Sequence, residues 1–306
     1  MFVRVLFTGA GGQVGQDFRD VLSGIIPSGG SATALMGSKE VTPGEFEVFG
    51  IDHASLDVSD ASAVQGTIEH IHPDVIVHLA AYTAVDKAEE DKEGAYVVNA
   101  IGTRNVAQSA ERVGAHMVYV STDYVFAGDK GRALVESDET NPLGVYGATK
   151  LAGEQECPPS ASIARTAWVA GVRGKNLFHL AAAVGQDGRE LRFVDDQIGS
   201  PTAAADLAAG LVALVRERPA GLFHVAGSGQ ASWFDAISFA VEAAGGSRSQ
   251  VSPIATAELD PQPAAVRPAC SSLASERLAS VGLSPLPEWQ DGIGRLVAAI
   301  IQESST

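Results

Sequence analysis

A hydroxyl, a phenol and an ammonium occur in this sequence in an order that suits hydride chemistry on a carbonyl group. Thr122 lies within the segment 121–126, and Tyr146 precedes Lys150 by four residues. On a helix, Tyr146 and Lys150 share one face, one turn apart. A nearby ammonium favours the phenolate, so we expect Lys150 to lower the pKa of Tyr146 from about 10 toward working pH. The Thr122 hydroxyl can hydrogen-bond the same reacting oxygen.

A glycine-rich turn near the start of the chain predicts a dinucleotide site. The apolar run 3–7 leads into Gly9, Gly12 and Gly15, and helical spacing follows. In this strand, turn and helix context, backbone N–H groups bind a diphosphate and glycines let it approach. Val14 interrupts the G-x-G-x-x-G form, so the spacing is G-x-x-G-x-x-G. The alternative is a glycine turn without a ligand.

Acidic residues follow the second predicted strand, 47–52, which comes after a long Gly- and Ser-rich connection at 23–46. Asp52 at that strand end is expected to bond the adenosine ribose hydroxyls and to disfavour a 2′-phosphate. Asp57 is a second candidate for the adenosine end of the site. Its alternative role is to cap the helix that follows.

The same alternation continues along the chain, with helices at 61–70 and 94–113 and strands at 73–79 and 117–120. Strands alternating with helices predict right-handed βαβ units. We expect an α/β fold, a Rossmann-type doubly wound parallel sheet with a smaller α/β substrate-binding lobe. The ligand crevice lies at the carboxyl ends of such strands, where the segments singled out above converge. A Tyr–Lys pair is usually a surface pair, and this convergence favours a chemical role instead.

The second half predicts helices at 176–184, 203–215 and 232–245, with Ser232 as a cap, and a strand at 222–226. The chain has no internal repeat and no true linker, so the two lobes are expected to interleave. We assign 1–176 with 197–219 to the dinucleotide-binding domain. The substrate-binding lobe then takes 177–196 with 220–306.

Composition narrows the classes of function. The formal charge of −16 argues against a broad nucleic-acid surface, and no apolar run approaches the ~20 residues of a membrane span. Cys157 and Cys270 are the two cysteines, which predicts neither a disulfide framework nor a zinc site, and none of the seven histidines has metal-ligand spacing. The first strand begins at once, so no signal peptide is expected, and we predict a cytoplasmic protein.

On these motifs the chain resembles the extended short-chain dehydrogenase/reductases and, within them, the dTDP-4-dehydrorhamnose reductase family. The segments that carry the resemblance are 8–15, 73–77, 81–89, 121–126, 141–154, 165–168, 196–202 and 267–268. It implies NADPH or NADH as cofactor and reduction of the C4 ketone of dTDP-4-dehydro-6-deoxy-L-mannose to dTDP-L-rhamnose. Tyr146 would be the proton donor, Lys150 would hold the nicotinamide ribose, and Thr122 would stabilise the developing charge.

The resemblance also implies the binding residues. Those for the cofactor are Gly9, Gly12, Gln13, Val14, Gly15, Asp52, Asp57, Val58, Ala81, Tyr82, Thr83, Asn99, Tyr146 and Lys150. Those for the substrate are Thr122, Asp123, Trp168 and Arg267. For Asn99 the alternative is a helix-interior bond to nearby backbone, and for Trp168 it is core packing.

The chain departs from the family at several positions. Val58 stands where an aromatic often sits, and 269–272 and the stretch 28–44 are unusual. Some members dimerise through magnesium; Asp17 matches one ligand position, but Ala205 replaces another, so we predict no metal and attribute Asp17 to the helix dipole. The sequence leaves open whether the protein forms a homodimer.

Alternative functions follow from the same scaffold. A 4,6-dehydratase needs an acid pair after Thr122, and Tyr124 takes the second place, which disfavours dehydration. Another nucleotide-sugar reductase or epimerase stays open. So does a non-catalytic regulatory subunit that resembles that of methionine adenosyltransferase.

Overall fold

A six-stranded parallel sheet forms the centre of the computed structural model, which describes residues 2–31 and 40–304. Its strands are β1 (Val3–Thr8), β2 (Phe46–Ile51), β3 (Val75–His78), β4 (His116–Thr122), β5 (Ser162–Thr166) and β10 (Gly221–His224). The spatial order is β10-β5-β4-β3-β1-β2, and all five pairings are parallel. The predicted α/β fold class is confirmed.

Helices cover both faces of this sheet. They are α1 (Gln13–Leu22), α2 (Ala61–Ile71), α3 (Val85–Glu90), α4 (Lys92–Tyr96), α5 (Gly102–Val113), α6 (Val145–Glu156), α7 (Leu177–Asp187), α8 (Ala204–Glu217), α9 (Trp233–Ala243) and α10 (Trp289–Ser304). Because side chains alternate along a strand, Val5 and Phe7 join the core under α1 and α8, while Leu6 joins the core under α2 and α5. The strands of a sheet that is covered on both faces have nearly continuous apolar sequences, as these strands do.

A second apolar core joins α7, α9 and α10. Short strands flank it: β6 (Val169–Ala170), β7 (Leu191–Val194), β8 (Ile198–Gly199), β9 (Thr202–Ala203), β11 (Ala231–Ser232) and β12 (Val251–Ile254). One assigned boundary is wrong, because Gly221–His224 was placed in the substrate-binding lobe yet pairs with β5 at the edge of the central sheet. The rest of the division stays a prediction.

The helix predicted over 94–113 is interrupted. It consists of α4, a five-residue π-helical turn (Val97–Ile101) and α5. Short 3₁₀ turns occur at Asp123–Val125, Arg248–Gln250, Thr256–Glu258 and Leu278–Val281. The π turn holds one extra residue, which apolar spacing does not reveal, and such turns are frequent at functional sites.

The sequence suggested N-cap residues for two helices, α9 and α2. Ser232 caps α9, and its hydroxyl accepts the Asp235 N–H at 3.0 Å. For α2 the cap is Asp60, whereas Asp57, considered as part of that cap, accepts the Ser59 N–H at 2.9 Å. Residues 32–39, part of the unusual stretch 28–44, lie outside the described residues. Within the described parts of the chain, no helix is both long and apolar enough to cross a membrane.

Candidate active site

A cleft opens at the carboxyl ends of the central strands, as the fold class predicts. Two continuous cavities, of about 650 and 580 Å³, share a wall formed by Gly9, Gly12, Ala81 and Thr83. The first also contains Thr122, Asp123, Tyr146, Lys150 and Trp168, and the second contains Asp52, Asp57, Val58 and Tyr82. The cleft therefore brings together all but two of the predicted site residues, Asn99 and Arg267.

The glycine turn has the geometry of a diphosphate cradle. Gly9 has φ +71°, and a Cβ on Gly15 would lie 2.3 Å from the Gly9 carbonyl oxygen, so neither position accepts a side chain. Gly12, the N-cap of α1, has no side-chain capping bond. The first N–H groups of α1 are therefore free to bind an anion. These features fit the diphosphate of a dinucleotide.

Asp52 and Val58 lie at the other end, where an adenosine would bind. Asp52 accepts the Ser55 N–H at 3.0 Å and its hydroxyl at 2.8 Å. These hydrogen bonds hold the pKa of Asp52 below its ordinary value, so the carboxylate is ionised at neutral pH. Val58 is 5 % exposed and offers an aliphatic contact rather than a ring.

We expect Asp52→Asn to raise the NADPH:NADH ratio of kcat/KM by about 10-fold, because a fixed negative charge near the ribose repels a 2′-phosphate. The measurement is steady-state kinetics with each cofactor. Asp57→Asn is the matched control, since Asp57 bonds Ser59 in the same manner. If the NADPH:NADH ratio of kcat/KM changed only in the Asp57 variant, Asp57 rather than Asp52 would be the residue that disfavours the 2′-phosphate.

Tyr146 and Lys150 lie one turn apart on α6, which begins beside α3. The N-cap of α6, Gly144, has no side chain, and Glu89 of α3 instead accepts the Val145 N–H at 2.8 Å. Glu89 therefore fixes the first turn of α6 and, with it, the position of Tyr146. Sequence reasoning assigned no role to Glu89, because the contact spans 56 residues.

The expected depression of the Tyr146 pKa is wrong for the protein without cofactor. Burial raises the pKa of Tyr146 to about 12, although an interaction with Thr122 opposes the rise. Lys150 is 3 % exposed and its ammonium donates to the Val120 carbonyl at 2.7 Å, 4.2 Å from the centroid of the Tyr119 ring. Burial also lowers the pKa of Lys150 to about 7. The phenol therefore stays protonated at neutral pH, as a proton donor requires.

Trp168 forms one wall of the cleft together with a residue that sequence reasoning missed. Its ring stacks on Trp233 at 3.8 Å and 5°, and its φ of +45° is uncommon for a bulky residue. A Cβ on Gly199 would lie 2.2 Å from the Trp168 ring, so Gly199 makes room for it. Trp168 therefore lines the cleft and also packs against a buried apolar cluster behind it.

Asn99 does not line the cleft and is fully buried behind it. Its oxygen accepts the Tyr82 N–H at 2.8 Å, and its amide nitrogen donates to the Tyr82 carbonyl and to Thr149. Asn99 therefore lies outside the cleft surface, and its cofactor role stays a prediction. The residue instead holds the backbone of Tyr82 in the cleft wall.

Comparison with known proteins identifies the family. The family model described as RmlD substrate binding domain matches residues 3–302. The chain belongs to the RmlD family. A dTDP-4-dehydrorhamnose reductase of Mycolicibacterium smegmatis is 36% identical over 98% of this chain and 87% of its own length. The same enzyme of Escherichia coli is 37% identical over 82% of this chain and 88% of its own length.

A solved RmlD-type structure extends the likeness to three dimensions. The dTDP-4-dehydrorhamnose reductase of Bacillus anthracis in complex with NADP has a TM-score of 0.86 and 35% identity. The match covers 97% of this chain and 99% of that one.

Arg267, an expected substrate residue of this RmlD chain, lies outside the main cleft. Both oxygens of Asp86 accept from its guanidinium, and its pairing lowers the pKa of Asp86 to about 2. It lines a neighbouring cavity of about 230 Å³ that meets the cleft at Trp233. No local pattern indicates the Asp86 partner, because it lies 181 residues away in the chain.

Asp17, the RmlD position considered for magnesium, is buried in the second turn of α1. Its carboxylate is 2 % exposed, and the nearest cation, Arg173, lies at 3.8 Å. Burial raises its pKa to about 7, whereas a helix dipole would lower it, so the dipole explanation is wrong. In the described parts of the chain, no group of three or more metal-ligating side chains occurs.

The Asp17 carboxyl predicts a pH effect on stability. Its folded pKa of about 7 exceeds the ordinary pKa of an aspartic acid, 3.8, so the folded state binds more protons between those values. Stability from Asp17 is therefore present at low pH and lost as pH rises toward 7. We expect Asp17→Asn to be about 2–4 kcal/mol more stable than wild type at pH 8, measured by urea unfolding. Asp20→Asn is the control, and equal effects of both variants would contradict this prediction.

Proposed function

We propose that the protein reduces the C4 ketone of dTDP-4-dehydro-6-deoxy-L-mannose to dTDP-L-rhamnose with NADPH or NADH. The observation that carries the proposal is one cleft that joins a diphosphate cradle to Tyr146 and Thr122. Relatives named dTDP-4-dehydrorhamnose reductase, and the NADP complex of one of them, support the substrate and the cofactor class.

The residues of the cleft divide into two sets. Gly9, Gly12, Gln13, Val14 and Gly15 would hold the diphosphate, and Asp52, Asp57, Val58, Ala81, Tyr82 and Thr83 would hold the adenosine half and the path to the nicotinamide. When bound, the reduced nicotinamide supplies a hydride to the C4 carbon. Lys150 would orient the nicotinamide ribose, and Asp123 and Trp168 would contact the sugar.

Tyr146 would donate a proton to the oxygen that becomes an alkoxide. A phenol with a pKa of about 12 holds its proton until that oxygen becomes strongly basic. The Thr122 hydroxyl would stabilise the charge that develops there. Tyr124, where a dehydratase needs a second acid, supports reduction without elimination.

The test follows the absorbance of NADPH during incubation with dTDP-4-dehydro-6-deoxy-L-mannose as substrate.

 We expect oxidation that depends on this sugar nucleotide and yields dTDP-L-rhamnose, identified by its mass and proton spectrum. Cofactor binding is measured separately, by quenching of intrinsic tryptophan fluorescence. Binding of NADPH without its oxidation by this substrate would overturn the proposal.

A further inference from the structure

The Thr122 hydroxyl has one hydrogen to donate and two lone pairs that accept. In the structure it donates to the Asp123 carboxylate at 3.0 Å and accepts the Tyr124 N–H at 3.2 Å. The Thr122 side chain also interacts with that of Tyr146, and this interaction lowers the Tyr146 pKa. The only hydrogen of Thr122 therefore points to Asp123 and away from the place of a reacting carbonyl.

Asp123 is buried, and its other oxygen has a partner from a distant part of the chain. The side chain is 1 % exposed, and Oδ2 accepts the hydroxyl of Ser271, 148 residues away. Burial raises the pKa of Asp123 to about 6, although the hydrogen bonds from Ser271 and Thr122 oppose the rise. The carboxyl can thus change its protonation near physiological pH.

The other ionisable groups around Asp123 do not neutralise its charge. Tyr124, the next residue, and Tyr146, on α6, face it, and burial raises the pKa of both. Arg267 lies behind Tyr124 but is held in its ion pair. Lys150 is directed to a backbone carbonyl.

We propose that Asp123 is a positioning residue that sets the direction of the Thr122 hydroxyl. The Ser271 hydroxyl, by bonding Asp123, sets the pH at which this direction changes. The inference rests on the proposed function. When Asp123 is ionised, Thr122 donates to its carboxylate, so the Thr122 hydrogen turns away from the substrate. When Asp123 is neutral, its O–H donates to Thr122, and the Thr122 hydrogen is free for the substrate oxygen.

The pH profile of kcat for reduction tests this control, with cofactor and substrate saturating. Wild-type kcat should fall as pH rises through about 6, on the order of 10²-fold in total, the effect of losing one oxyanion donor. Asp123→Asn keeps an N–H donor toward Thr122 at every pH and should lack this fall. Ser271→Ala removes a bond that favours the carboxylate, so the fall should move upward by about one pH unit.

Ser272→Ala is the matched control, because the Ser272 hydroxyl donates to Gln230 rather than to Asp123. Its pH profile should coincide with that of wild type. A fall near pH 6 that persists in Asp123→Asn, or a Ser271→Ala profile that is unshifted or shifted downward, would overturn the inference.

A second measurement needs no turnover, which separates failure of this inference from failure of the proposed function. The ¹³C shift of the Asp123 carboxyl, assigned by its loss in Asp123→Asn, is titrated in the protein alone. A midpoint near 6 that rises in Ser271→Ala supports the inference. A midpoint at the ordinary value for Asp, about 4, or one that Ser271→Ala leaves in place, would overturn it.

Discussion

Tyr146→Phe is expected to lower kcat by 10²–10⁴-fold, roughly the contribution of a positioned general acid. The substitution removes only the hydroxyl, while the ring keeps its contact with Tyr124, whose centroid lies 5.7 Å away. Because the substitution leaves the glycine turn and Lys150 unchanged, the Kd for NADPH should stay within about twofold of wild type. Steady-state rates and fluorescence titration measure the two quantities.

The neighbouring phenol supplies the control for this experiment. Tyr124→Phe removes a hydroxyl that interacts with Arg267 rather than with Thr122, and it should retain most of kcat. Turnover in Tyr146→Phe equal to that of wild type would contradict the assignment of the proton donor.

Arg165→Met is expected to destabilise the protein by about 3–5 kcal/mol, because it leaves a buried carboxylate without its cation. Arg165 of β5 pairs with Glu154 of α6 at 2.6 Å, and the two side chains are 4% and 7% exposed. Ser121 of β4 donates to the same carboxylate. A loss of this size is a large part of the ~5–15 kcal/mol by which domains are stable. Urea unfolding at pH 7 measures it.

A double variant separates the ion pair from simple packing. Glu154→Met together with Arg165→Met removes both charges, and it should recover part of the stability lost in the single variant. Since Glu154 lies one turn after Lys150, the single variant should also lower activity below the unfolding transition. A single variant within about 1 kcal/mol of wild type would show that the buried pair contributes little.

Patterns local in sequence predicted the sheet and the glycine turn well. Strand and helix periodicity depends on neighbouring residues, and the Gly9 and Gly15 positions depend on a turn of seven residues. The Tyr146–Lys150 spacing likewise follows from one helix. For these features the sequence contains the whole physical cause.

Contacts between distant segments were not predictable in the same way. The partner of Asp123 is Ser271 and that of Arg267 is Asp86, and neither pairing has a local signal. The pKa of Tyr146 also depends on burial, which the sequence does not specify. The carboxyl ends of the strands were foreseeable as a meeting place, but the hydrogen bonds formed there were not.

The π turn at Val97–Ile101 has a consequence for how the surrounding segments are oriented. One extra residue rotates α5 relative to α4, and the segment contacts α2 through α5 and α6 mainly through the π turn. Deleting one residue there would restore a regular helix and turn Asn99 away from Tyr82. The π turn thus sets the orientation of α5 relative to α4 and places the Asn99 side chain against the backbone of Tyr82.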